Sequence, residues 1–243
     1  MAAQGPVVFE TKSIQDFIRY VLAHHKPPST LVVCSSKEPF LHALQLEARS
    51  VPSPTDNRNN DTTVDEATLA KHLLHTPTLR LLSTARTLKL AFCQDITHLR
   101  AYLATYSNSI TNRHMEIDTA LRQPDVRPVL AILSPVQLHR STSTFSAQGL
   151  NCTFSVAVEA AHQTGSRLVM AEIAYQSTNT EDEADLRTPP SNITPHPWDE
   201  EVSILNVTTK RLGELSSGRI VKIKAIASRW CDFQELPTLE GMI

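Results

Sequence analysis

The chain has 243 residues and a mass of 27.0 kDa, with 41% hydrophobic and 20% charged residues. That is enough apolar material for one sizeable core and too much for wholesale disorder. A formal net charge of −2 excludes a histone-like polycation and a strongly acidic tail protein. Only 6 residues are glycine, and none lies between Gly5 and Gly149, so a function that needs a glycine-rich phosphate loop in the first half is excluded.

Ser13 followed by Asp16 forms a capping box, and Ile14, Phe17, Ile18, Val21 and Leu22 repeat at helical spacing. A helix is therefore expected over 13–25, closed by His24-His25 and stopped by Pro27-Pro28. Thr30–Cys34 is a short apolar, β-branched run that reads as a buried strand, and Lys37–Leu44 as a helix with Pro39 in its first turn. Residues 50–64 are almost all polar or proline and are expected to be a flexible loop before a short helix at 65–75. Leu79–Leu82 and Leu88–Cys93 read as strands. Asp95 is the expected N-cap of a helix through Ile96, Leu99, Leu103 and Tyr106. Val129–Leu133 is a fully apolar strand ended by Ser134 and Pro135. A helix over 146–163 follows, closed by Gly165, and then a strand at Arg167–Ile173. Residues 176–197 are acidic and proline-rich and read as a second exposed loop. Val202–Val207 and Arg219–Ile226 read as paired strands, and 228–233 continues the second or starts a third. The alternation of strands and helices predicts a single α/β domain over 1–243. Its sheet is expected to be mostly parallel and flanked by helices, with an antiparallel hairpin at about 201–233 extending one edge.

The four cysteines (Cys34, Cys93, Cys152 and Cys231) lack zinc-site spacing. Cys34, Cys93 and Cys231 lie in apolar runs and read as buried thiols. The first residues lack the basic and apolar regions of a secretory signal, and no apolar stretch has the length of a membrane span. The expectation is an intracellular chain in a reducing compartment, with no membrane partner.

Nucleotide-binding α/β folds surround phosphates with bare amides in the loop after the first strand, and hold magnesium with a carboxylate after a later strand. Here the first of these positions reads Cys34-Ser35-Ser36-Lys37-Glu38-Pro39. A lysine is present, the glycines and the Lys-Ser/Thr pair are not, and Pro39 removes a donor. The carboxylate's position after Val129–Leu133 holds Ser134. Ser35, Ser36, Lys37 and Ser134 therefore mark a degenerate nucleotide site, with ATP hydrolysis not expected and no cofactor or metal expected. Neither a G-x-S-x-G elbow nor H-E-x-x-H occurs. His72 and His75 share a predicted helix face without a third ligand and read as solvated.

The C-terminal segment carries Lys210, Arg211, Arg219, Lys222, Lys224 and Arg229 against one acid, Glu214. Alternation over Arg219–Ala225 would place Val221, Ile223 and Ala225 on one face and Lys222 and Lys224 on the other. Two readings fit such lysines: protection of a sheet edge, and contact with nucleic-acid phosphates. Trp198 and Trp230 flank this unit, and Trp230 reads as a packing anchor rather than a base-stacking ring.

In layout, the turn Leu31–Phe40, the strands Leu88–Cys93, Val129–Leu133 and Leu168–Ile173, and the terminal hairpin over Val202–Phe233 resemble a RecA-like ATPase core that has lost its motifs. The resemblance spans most of 28–235. Two groups of such proteins are similar: recombinase paralogues of Shu-like complexes, which bind DNA, and the RecA-like ring of Elongator, which binds tRNA. The resemblance implies a non-catalytic subunit, hetero-oligomeric with another RecA-like subunit. DNA in the nucleus is the first ligand it implies, tRNA the alternative, and a structural adaptor without nucleic acid the third reading. It carries over no catalytic residue.

Overall fold

The computed structural model describes residues 5–11, 13–49, 79–114, 127–173, 196–204 and 219–236. The expected loop at 50–64, the short helix at 65–75 with its two histidines, and the loop at 176–195 lie outside the described residues, as do Lys210 and Arg211.

In chain order the elements are β1 (Val7–Glu10), α1 (Ile14–His24), β2 (Thr30–Val33), α2 (Lys37–Arg49), α3 (Leu79–Ala85), β3 (Lys89–Phe92), α4 (Ile96–His114) and β4 (Val129–Leu133). There follow α5 (Pro135–Arg140), α6 (Ala147–Gln163), β5 (Arg167–Glu172), a 3₁₀ turn (Pro197–Asp199), β6 (Glu201–Ser203), β7 (Ile220–Lys222), α7 (Ile223–Ala227) and β8 (Asp232–Glu235). Six strands form one all-parallel sheet in the order β3-β2-β4-β5-β1-β8, and β6 and β7 form a separate antiparallel pair. The α/β class and the parallel sheet are as the sequence predicts.

Helices cover both faces of the sheet because its central strands are apolar on both sides. Every residue of β2 and β4 is buried. One face packs Val32, Leu130, Ile132, Leu168 and Met170 against α4, α6 and α7. The other packs Leu31, Val33, Val129, Ala131 and Val169 against α1 and Phe40 of α2. Among the described residues no helix is long and apolar enough to cross a membrane.

The caps behave as their chemistry requires. Ser13 Oγ accepts the Asp16 N–H at 3.2 Å, but Asp16 does not return the bond. Thr11 Oγ1 takes the Ser13 N–H at 3.2 Å, and Glu47 of α2 takes those of Ile14 and Gln15 at 2.9 and 3.1 Å. The donors at the start of α1 thus tie α1 to α2. Asp95 Oδ1 accepts from His98 N–H at 2.7 Å, and Gly165 follows α6 at φ +62°. At the end of α1, His24 stacks on Tyr20, and His25 Nε2 lies 2.7 Å from Thr87 Oγ1.

Four features differ from the sequence reading. β1 was not anticipated, and it lies between β5 and β8. Leu79–Leu82 is the start of helix α3, not a strand; Leu and Arg, unbranched at Cβ, favour helix over strand. The expected strand Arg219–Ile226 keeps only residues 220–222 and then turns into α7. Buried Ile223, Ile226 and Ala227 are spaced i, i+3, i+4, a helical period that overrides the apparent alternation. The hairpin does not extend the main sheet; β8 does, parallel to β1.

Candidate functional site

In an open parallel sheet, ligands meet the crevice at the carboxyl ends of the strands, where successive connections leave in opposite directions. Here β2 lies between β3 and β4, so that point follows Val33 and Leu133. At the carboxyl ends of β3, β2, β4 and β5, Cys93, Cys34, Ser134 and Glu172 follow one another across the sheet. Cys93 N–H donates to Val33 O at 2.9 Å, Cys34 N–H to Leu133 O at 2.9 Å, and Ser134 N–H to Ala171 O at 2.7 Å. Glu10 is the register partner of Glu172 on the next strand.

Only Cys34, Ser35 and Ser36 separate β2 from α2. Cys34 is buried beneath the turn, Ser35 Oγ donates to Ser36 O at 3.1 Å, and Lys37 is exposed. The first turn of α2 holds Glu38, and Phe40 beneath it packs edge-on against Phe92. A phosphate cradle needs several consecutive free amides and a compliant backbone. The turn after β2 is three residues long and carries no glycine.

Ser134 is buried, and it is the sole non-glycine at positive φ among the described residues (φ 60°, ψ 46°). It leads into α5, where Pro135 occupies the first helical position. The start of α5 is filled from inside the protein: Glu172, 0% exposed, accepts the Val136 N–H through Oε1. Burial pushes the Glu172 carboxyl up to about 8, against the pull of the Val136 N–H, Arg140 and the Gln137 N–H. The group is therefore neutral at pH 7. Glu172 Oε2 and Ser134 Oγ have no hydrogen-bond partner among the described residues. Burial, with Glu172 and Cys93 nearby, raises the Cys34 thiol well above its usual value, so it behaves as a core group and not as a nucleophile.

Behind this edge, a polar cluster locks α4, α5 and α6 together. Arg100 of α4 donates from Nε to Thr153 Oγ1 at 3.1 Å and from Nη2 to Gly149 O at 2.8 Å. His139 is fully buried on α5, with Nε2 3.0 Å from Thr153 Oγ1. Burial, reinforced by Arg100, lowers it to about 4, so it is uncharged at neutral pH. Gly149 permits the close approach: a Cβ there would lie 2.0 Å from Thr144 O.

The basic residues do not form one strip. Lys224 is ion-paired with Glu10 and lies 4.9 Å over the Phe233 ring. Lys222 is opposite Glu201 in the β6–β7 pair. Arg219, Lys222 and Arg229 are exposed. Lys222 and Lys224 border an open depression that Asp199 and Asp232 also line. Trp198 is fully buried between Phe154 and Phe233, and Trp230 Nε1 donates to Asn151 Oδ1 at 2.9 Å, so both serve packing. Cys152 is exposed and the other three cysteines are buried. No described group of three or more His, Cys, Asp or Glu side chains is placed to hold a metal ion.

The structure thus brings Ser134 to the carboxyl end of the sheet beside Cys34 and places Ser35 and Ser36 in the short turn after β2, with Lys37 exposed at the start of α2. Glu172 escapes the sequence reading, although one acid inside the apolar run Leu168–Ile173 is the signal that could have found it. No known protein family matches this chain, and no curated protein matches its sequence.

Proposed function

We propose that the chain is a non-catalytic α/β scaffold subunit of a DNA repair or homologous recombination complex. In this reading it is a pseudo-ATPase of RecA-like layout that pairs with a related subunit and offers a basic surface to DNA. The observation that supports the reading is the degenerate nucleotide position: a three-residue turn without glycine after β2, and the protein's own Glu172 seated on the start of α5 after β4. The DNA surface is the β6–β7 ribbon and the end of α7, with Arg219, Lys222 and Arg229 exposed. Phosphate contacts of this kind weaken steeply with salt.

Fluorescence anisotropy with the copurified partner complex tests the reading, using single-stranded DNA, duplex DNA and tRNA as separate arms. Salt-dependent DNA binding is expected, weakened by Arg219→Glu combined with Arg229→Glu. Preference for tRNA over DNA would move the chain to a tRNA-modification scaffold, and no binding in any arm would leave an adaptor.

A further inference from the structure

Glu172 is an acid buried where its charged form is poorly served. One oxygen accepts from the α5 backbone, and the other has no partner among the described residues. The groups facing it are Cys34 from β2, Arg140 at the end of α5, Glu200 beyond the 3₁₀ turn, and Glu10 on β1. The two cations in this neighbourhood are already engaged, Arg140 with Glu200 at 2.8 Å and Lys224 with Glu10. An ionised Glu172 would therefore lack a committed counter-charge. The helix resting on it is short, six residues, and it is entered through Ser134 in the left-handed region. That entry is strained for a residue with a Cβ. Buried Val136, Leu138 and His139 and the Arg140–Glu200 pair hold α5 closed, so the strained start and the ionised form of Glu172 are what oppose closure.

We propose that residues 134–145 form a proton-gated segment: it closes over the sheet edge while Glu172 is protonated, and it opens to solvent when Glu172 gives up its proton to water. Opening would uncover the carboxyl ends of β4 and β5 and free the start of α5. His139 on the same helix acts in the opposite sense, because exposing it favours protonation as pH falls. With His139 lowered from 6.5 to about 4 and Glu172 raised from 4.5 to about 8, the two effects offset each other between pH 4.5 and 6.5. Above that window Glu172 acts alone, and opening gains up to tenfold per pH unit.

Hydrogen exchange with mass spectrometry on the full chain reads this directly. After correction for intrinsic exchange, the amides of 136–145 are expected to speed up about eightfold from pH 6.5 to 8 and to level off at about sixteenfold above that. Those of α6 should stay constant. Glu172→Gln, which mimics the protonated acid, should abolish the rise. Equal behaviour of 136–145 and α6 in the wild type would overturn the proposal, and so would a rise that survives in Glu172→Gln. If that variant does not fold, the wild-type comparison of the two segments decides alone.

Discussion

Replacing Gly149 by Ala should destabilise the protein, although the position lies in the first turn of a helix. In a helix interior, alanine is favoured over glycine by about 1 kcal/mol. At residue 149 the added Cβ would lie 2.0 Å from Thr144 O and 3.1 Å from Thr144 C. Both are backbone atoms, so no side-chain rotation relieves the overlap. Either the turn 141–146 or the start of α6 must move by more than about an ångström to restore van der Waals contact, an overpacking cost of about 1–3 kcal/mol. The same movement disturbs Gly149 O, which accepts the 2.8 Å bond from Arg100. Hydrogen bonds to charged donors are worth about 1.5–3 kcal/mol. The balance is a net loss of about 1–3 kcal/mol. Urea unfolding followed by far-UV circular dichroism would measure it as a lower midpoint at unchanged slope. An equal or higher midpoint would refute the reasoning, because it would show that α6 can approach the 141–146 turn no closer than an ordinary helix does.

Ser134→Gly should raise stability by about 1 kcal/mol, since glycine adopts φ 60° without Cβ strain and removes a buried hydroxyl that lacks a described partner; a rise in thermal midpoint checks it. His139→Gln should flatten acid sensitivity. The folded protein holds His139 near 4 against 6.5 unfolded, so the stability tied to its neutral form is intact above pH 6.5 and lost as pH falls toward 4, by about 3 kcal/mol. The difference in urea midpoint between wild type and variant should therefore change in the variant's favour between pH 7 and 4.5.

What the sequence discloses follows from how local the governing physics is. Asp95, Ser13 and Gly165 act within a few residues of themselves, and each caps its helix as its side chain or backbone dictates. β4 is apolar at every position, which only a strand buried on both faces requires. By contrast, β1 is four residues long and is a strand because β5 and β8 flank it, partners more than a hundred residues away. Residues 220–227 fit two periods over a few residues, and packing against α6 and the 3₁₀ turn selects the helical one after residue 222. At the site, the missing glycines of the β2 turn are visible in the sequence. That Glu172 occupies the start of α5 is not, because it depends on β5 and α5 meeting in space.

The place of β1 bears on the order of assembly. Val7–Glu10 is synthesised well before its hydrogen-bonding neighbours, Arg167–Glu172 and Asp232–Glu235. On the ribosome this apolar segment must wait, with both edges bare, until partners more than 150 residues further along have emerged. Such distant pairing slows folding and leaves a sticky strand exposed meanwhile. A companion that shields Val7–Phe9 during synthesis would therefore raise the yield of native protein without changing its final stability.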